Sequence, residues 1–304
     1  MGPSWNSTQV EDMFVAAGAT VRRVDRLRLD VDGRRWWEVR SPDTTRAAVA
    51  TCRDKTATAS TLTAADVATP PQVVCDLLAV DTAAASLGWP VCVKPVEGSQ
   101  GRAVTPEIAN RRLLRWAAER ASRKGRLPVV VERSVDGDHW RVLVVGQAVS
   151  ASECREWRPV GDGRAPIDRL IERENRRRVK AYDRPFKIKL DSALVRTLAD
   201  QGVQPTSILG VGEEVRISTS RNVHQGAQPV ERFDDVPVRV VATAEAAVAA
   251  IDGLAHAAVD LIDDGETCWV VDVNSNPGLA CHLHPYGGRS RAGQVRAALV
   301  AAHR

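Results

Sequence analysis

The chain has 304 residues, 44% hydrophobic and 26% charged, with a formal net charge of +4, which is enough apolar material for two or three packed subdomains. No stretch approaches the roughly 18 apolar residues that a membrane-crossing helix needs, and residues 1–30 carry no apolar segment behind a basic start, so the expectation is a cytoplasmic chain with no membrane partner. Six cysteines without any Cys-x-x-Cys spacing argue against zinc sites and a disulfide framework, and the basic run Arg173 to Lys180, interrupted by Glu174 and Asn175, suits a solvated or anion-facing helix better than a nucleic-acid face.

Val10, Met13, Phe14 and Ala17 have helical spacing, and Val21 to Leu29 and Arg35 to Val39 read as strands turning at Asp32-Gly33. Thr56 to Ala68 reads as a helix that Pro70-Pro71 stops. Val91 to Val96 then predicts a buried strand, Glu97 to Arg102 a glycine turn, Pro106 to Arg123 a helix and Pro128 to Glu132 a strand. Trp140 to Val145 and Gln147 to Ala151 form a hairpin at Gly146, and Arg169 to Arg178 and Ser192 to Gln201 are helical. Thr243 reads as the N-cap of a helix ending near Ala255. Ala257 to Ile262 and Thr267 to Asn274 are two strands meeting at Asp263-Asp264-Gly265. This is an α/β (α+β) chain, divided into an N-terminal α/β segment (1–68), a lid subdomain (69–131) and a C-terminal subdomain (132–304).

The last strand carries the clearest chemistry. Alternation puts Trp269, Val271 and Val273 on one side and Asp272 and Asn274 on the other. Asp260, on the preceding strand, lies across from them. Two carboxylates and an amide oxygen are a hard donor set that suits Mg²⁺ bound partly through phosphate oxygens; solvation of an exposed face is the plainer alternative.

Lysine is scarce, at 55, 94, 124, 180, 187 and 189 only, in a chain that otherwise uses arginine. That singles out Lys55 and Lys94 as positions for a compact ammonium. Lys94 ends a strand before Gly98-Ser99-Gln100-Gly101, whose backbone N–H groups can approach a phosphate closely, although a plain surface turn has the same composition. The strand Val129 to Glu132 ends in an acid, followed by Asp138, His139 and Arg141, which suits either a nucleotide contact or a hinge. His282 and His284 follow the turn Asn276-Pro277-Gly278, where either can face a substrate or serve as a structural hydrogen-bonding group.

Taken in order, Val93-Lys94-Pro95, Glu97 to Arg102, Val131-Glu132-Arg133, Trp140 to Gly146, Val160 to Gly163, Ile171 to Asn175, Lys187 to Asp191, Val259-Asp260, Val271 to Gly278 and His282 to Pro285 resemble a known pattern. It is that of the ATP-grasp carboxylate-amine ligases, in particular the ATP-grasp domains of cyanophycin synthetase and of bifunctional glutathione synthetases. The resemblance covers about residues 50 to 295.

The resemblance implies an ATP-grasp fold with a β-rich lid, and an enzyme that uses ATP and Mg²⁺ to join a small-molecule carboxylate to an amine, an amino acid or short peptide, through an acyl phosphate. It implies that Lys55 and Lys94, with Gly98, Ser99 and Gly101, contact the phosphates, and that Glu132, Val135, Asp138 and His139 serve the adenosine. Asp260, Asp272 and Asn274 correspond to metal ligands, and Arg141, His282 and His284 to catalytic positions. Arg155, Asn222 and Gly278 correspond to substrate contacts. It also implies pairing of two chains.

The departures matter as well. Asp272 stands where the family has Glu. Ser218 and Asn222-Val223-His224-Gln225-Gly226-Ala227 replace an arginine and an Asn-x-Ser-Thr-Gly-Gly loop, which points to a different substrate. Two alternatives stay open, a ligase that crosslinks side chains of a ribosomal peptide and a nucleotide-binding regulator without chemistry.

Overall fold

In the computed structural model, which describes every residue except 1, 99, 100, 182–185, 220 and 304, the chain folds into two compact units. One comprises residues 1–71, 135–153 and 230–304, and the other 72–134 and 154–229. The chain crosses between the units after residues 71, 134, 153 and 229. The last two of these crossings fall inside strands.

The first unit opens with α1 (Trp5–Ala16), capped by Ser4, whose side chain accepts from the Ser7 amide. It buries Val10, Met13 and Phe14, as their spacing requires. The predicted strand 21–29 is two strands, β1 (Val21–Arg23) and β2 (Arg28–Val31), because Asp25 Oδ1 accepts from the amides of Leu27 and Arg28 and closes a turn. β3 (Arg34–Trp37) follows the expected turn, with φ of 49° at Asp32 and 82° at Gly33. Thr45 caps α2 (Arg46–Arg53), and Asp54 caps α3 (Lys55–Ala64) by accepting from the Thr56 and Ala57 amides.

The second unit begins with β4 (Gln72–Cys75), α4 (Val80–Leu87), β5 (Val91–Pro95), β6 (Thr105–Ile108), α5 (Arg111–Ala121) and β7 (Val129–Arg133). Its sheet runs β4-β7-β5-β6, antiparallel throughout. The helix expected from Pro106 starts only at Arg111. Thr105–Ile108 pairs with β5 instead, and Asn110 caps the helix at the Leu113 amide. Leu114, Ala117, Ala118 and Ala121 bury one stripe of α5 in this unit's core.

β8 (Asp138–Val145) and β9 (Gln147–Arg155) make the expected hairpin at Gly146. The second unit continues with α6 (Ile167–Ala181) and α7 (Ser192–Ala199), which pack around Ile171, Ile188, Leu198 and Leu209. β10 (Gln228–Glu231) leads to α8 (Val238–Ala249), which starts after Pro237. Thr243, expected to be an N-cap, lies inside α8 because proline is tolerated at a helix start and the apolar stripe already begins at Val240. β11 (His256–Asp263) and β12 (Cys268–Asn274) form the expected hairpin. α9 (Ala280–Leu283), β13 (Gly287–Gly288) and α10 (Ala292–Ala301) complete the chain.

The first unit's sheet runs β12-β11-β8-β9-β10-β13. Trp140, Val142, Val144, Val259 and Leu261 face a core that includes Val240, Ala244 and Val248 of α8. Leu143, Val145 and Ala258 face the other way, onto Val10, Phe14, Leu29, Trp36 and Leu299. Gly137, just before β8, passes so close to the Asp263 carbonyl that a Cβ would lie 2.3 Å from its oxygen. Among the described residues no helix is long and apolar enough to cross a membrane.

Candidate active site

On the first unit's sheet, cross-strand register lines up four polar residues. Asp260 of β11 pairs with Asp272 of β12 on one side and with Arg141 of β8 on the other, and Arg141 pairs with Ser152 of β9. Arg141 Nη1 donates to both Asp260 oxygens, at 2.7 and 2.9 Å. Lys55 Nζ, at the first residue of α3, lies 3.6 Å from Asp272 Oδ1.

A bulge makes this row possible. Strict alternation along β12 cannot put both Cys268 and Val273 in the core. The register shifts at Asp260/Leu261, where Asp272 faces Asp260 but Val270 faces Leu261, so Val271 is the extra residue. Cys268, Val270 and Val273 are buried while Trp269, Val271, Asp272 and Asn274 are not. The expectation that Trp269, Val271 and Val273 share a side is therefore corrected, and the shared side of Asp272 and Asn274 is retained.

Burial pushes the Asp260 carboxyl above the usual range and the neighbouring Asp272 charge adds to this, while Arg141 and Lys55 oppose it. Two facing carboxylates of which one resists ionisation favour added positive charge. Asn274 Oδ1 already accepts from the Asn276 amide at 3.0 Å, which leaves its second lone pair. Among the described residues there is no cluster of three or more His, Cys, Asp or Glu able to hold a metal. Two carboxylates plus an amide oxygen is a partial set, which suits a hard cation that takes its remaining ligands from phosphate or water.

The two histidines part company. His282 is fully buried, with Nδ1 2.8 Å from Ser150 Oγ, which in turn donates to Glu231 Oε2 at 2.5 Å. The Ser150 proton on Glu231 requires His282 to donate from Nδ1, so Nε2 is an acceptor, and it has no hydrogen-bond partner. Burial, with a contribution from the Arg141 charge, holds the His282 imidazole down at about 3. It is a neutral, weakly basic ring at ordinary pH, fit to accept a hydrogen bond rather than to hold a proton. His284 is partly exposed and meets the Trp5 ring edge-on at 5.7 Å.

Ser150 and Glu231 were not picked out from the sequence. Their signal was slight: Ser150 and Ser152 interrupt an apolar strand with period two, and Glu231 is a buried acid at the end of β10.

In the second unit Lys94 and Glu132 form a buried ion pair, with side chains 7% and 8% exposed, on the neighbouring strands β5 and β7. Gly98 and Gly101 belong to the same unit, and Ser99 lies outside the described residues. Gly101 adopts φ 66°, and a Cβ there would stand 3.2 Å from both Asn222 Nδ2 and Gln225 Nε2. Gln225 Nε2 also donates to the Gly101 carbonyl at 3.2 Å. The altered loop therefore packs directly on the glycine turn.

Val135 is half-buried, and Asp138 is exposed opposite Asp263. His139, opposite Ile262, shares the Arg141 face of β8. Arg155 is exposed at the end of β9, and around Gly278 a Cβ would meet nothing within 4 Å. The structure thus gathers Lys55, Arg141, Asp260 and Asp272 into one row, Lys94 with Glu132, and Gly101 with Asn222.

No protein-family model matches the chain. It is 32% identical over 216 residues to cyanophycin synthetase from Crocosphaera subtropica, an alignment covering 67% of this chain and 25% of that protein. The chain thus spans about a quarter of the length of such a relative. Among solved structures it resembles the bifunctional glutathione synthetase from Pasteurella multocida, with TM-score 0.65 and 20% identity, over 99% of this chain and 43% of that one. It also resembles the ATP-grasp ligase PsnB complexed with a phosphomimetic variant of its minimal precursor, Mg and ADP, with TM-score 0.50 and 15% identity, over 84% of this chain and 60% of that one. The fold expected from the order of the motifs is the one observed.

Proposed function

We propose that this chain, which belongs to the ATP-grasp family of carboxylate-amine ligases, forms an amide bond between the carboxylate of an amino acid or short peptide and an amine, at the expense of ATP. The observation that carries this reading is the row Lys55–Asp272–Asp260–Arg141, in which two carboxylates face each other between an ammonium and a guanidinium. A triphosphate needs a metal-binding acid pair flanked by cations, and a merely solvated sheet face has no need to set two carboxylates side by side.

In this reading Asp260 and Asp272, with Asn274, would hold Mg²⁺, which supplies neutralisation of the β- and γ-phosphate charge. Lys55, Lys94, Gly98 and Gly101 are assigned to the phosphates. Glu132, Val135 and His139 are assigned to adenosine, with Asp138 as the other ribose candidate.

The substrate carboxylate attacks the γ-phosphorus and ADP leaves, giving an acyl phosphate. The amine then attacks the acyl carbon, and phosphate departs as the amide forms. Arg141 is assigned to the oxyanion of that second step, which its guanidinium charge would stabilise. His282, a buried neutral ring held by Ser150, and His284 are assigned to the amine step, and Arg155, Asn222 and Gly278 to the substrates. The altered loop on Gly101 supports an acceptor different from those of the relatives.

The test is ADP release by the full chain with Mg²⁺ and ATP against a matrix of amino acids and short peptides, alongside Asp272→Asn. The expected result is turnover that needs both an acid and an amine and falls about a hundredfold or more in the variant. Release of ADP only with a longer peptide substrate would move the reading to peptide crosslinking, and ATP binding without ADP release under any pair would overturn the ligase.

A further inference from the structure

The two arginine-rich helices of the second unit treat their charge differently. On α6, Arg169 pairs with Glu172, Arg173 with Asp162, and Arg177 and Arg178 with Glu174, all within 2.8 Å. α5 and the turn after it carry seven cations, Arg111, Arg112, Arg115, Arg120, Arg123, Lys124 and Arg126, against the single acid Glu119. Asp81 reaches Arg115 at 2.9 Å and Arg111 at 4.0 Å. Among the described residues no carboxylate lies within ion-pair distance of the other five cations.

Helix formation does not account for this charge. The macrodipole favours cations at a helix C-terminus, which explains Arg123 and Lys124, but it disfavours Arg111 and Arg112 in the first turn, where α5 has no acid. Like charges one turn apart add repulsion. The exposed stripe that bears them is opposite the buried Leu114, Ala117, Ala118 and Ala121. Arg111, Arg112, Arg115, Trp116 and Glu119 line a recess of about 480 Å³ along it. Trp116 is held by Arg196 of α7, whose guanidinium carbon is 3.7 Å from the ring centroid, and Arg120 lies at 5.2 Å. The aromatic thus braces part of the ridge.

We infer that the outward stripe of α5 is a docking surface for an acidic polypeptide segment. Carboxylate chemistry is already displayed there: Asp81 Oδ2 accepts from Arg115 Nε and Nη2 at 3.1 and 2.9 Å, so the Arg115 fork takes a carboxylate oxygen with two donors. The helix is about 16 Å long, which matches roughly five residues of extended chain. A single ridge of that length interrupted by Glu119 fits a peptide better than a nucleic acid, whose footprint needs charge spread over a surface. The inference does not depend on the ligase reading.

The probe is fluorescein-labelled decaglutamate, titrated with the full chain at low and at moderate salt by fluorescence anisotropy. Binding should weaken with salt, and should fall about tenfold or more in Arg112→Gln/Arg120→Gln/Arg123→Gln/Arg126→Gln. The matched variant Arg169→Gln/Arg173→Gln/Arg176→Gln on α6 should bind as the unaltered chain does. Absence of decaglutamate binding at low salt, or equal loss in the two variants, would overturn the inference without reference to ligase activity. Tighter binding of a ten-nucleotide single-stranded DNA than of decaglutamate would replace it with a nucleic-acid surface. The salt series on the unaltered chain stands even if a variant fails to fold.

Discussion

Lys94–Glu132 in one unit and the Lys55–Asp272–Asp260–Arg141 row in the other are both formally neutral, yet only the first is closed. Lys94 and Glu132 are almost fully withdrawn from water and satisfy each other. In the row the two carboxylates are adjacent and oppose each other, and Asp260 is pushed up chiefly by burial, with the Asp272 charge adding to it. A closed pair fixes where two strands meet and holds Lys94 and Glu132 in position for the nucleotide contacts assigned to them. An open row of the same net charge holds affinity in reserve for a further cation and for phosphate, because its carboxylates gain from positive charge that the chain does not supply.

Breaking the closed pair has the largest expected effect. Lys94→Ala leaves Glu132 buried without a counter-charge and should cost about 3–5 kcal/mol of stability in denaturant titrations. Replacing both partners together, as Lys94→Met/Glu132→Leu, should recover most of that. Equal costs for the single and double variants would mean that the pair is not closed.

The loss of stability that begins just below neutral pH should come from the two buried histidines of the unit that holds the row. His282 and His256 are depressed to about 3 and about 4, chiefly by burial. The unfolded chain therefore takes up these protons near the ordinary imidazole value of 6.5 before the folded chain does, so stability is lost as pH falls below about 6.5. At one pH unit below that point each imidazole should cost about 1 kcal/mol. His282→Gln should flatten the pH dependence of the unfolding midpoint by that amount.

The smallest expected effect on stability is that of Asp272→Asn. Removing one of two opposed carboxylates relieves Asp260 but leaves Lys55 without its partner, so thermal stability should change by less than about 1 kcal/mol. Loss of turnover without loss of stability is the signature of an open row. A drop as large as that of Lys94→Ala would show the row to be structural.

What was legible in the residues was local. The turns at Asp32-Gly33, Gly146 and Asp263-Asp264-Gly265 fall where small or φ-positive residues demand them. The last of these sets the β11–β12 register as far as Leu261 and Val270, and the approach of Asp260 to Asp272 needs the bulge at Val271 as well. The Lys94 strand and its glycine turn were likewise readable, as was the motif order that pointed to the fold. The start of α8 was misread, because Thr243 has cap chemistry but Pro237 and Val240 set the helix.

Tertiary structure decided the rest. Nothing near Arg141 indicates that its strand will lie beside β11, more than a hundred residues later, or that Ser150, Glu231 and His282 will converge. The bulge at Val271, which turns Asp272 out of the core, depends on how both faces of the sheet are packed. Hairpin register and capping are governed by a few neighbouring residues and their turn geometry, so one stretch of sequence contains them. The order of strands in a sheet is governed by which distant apolar faces bury each other, and that is a property of the whole chain.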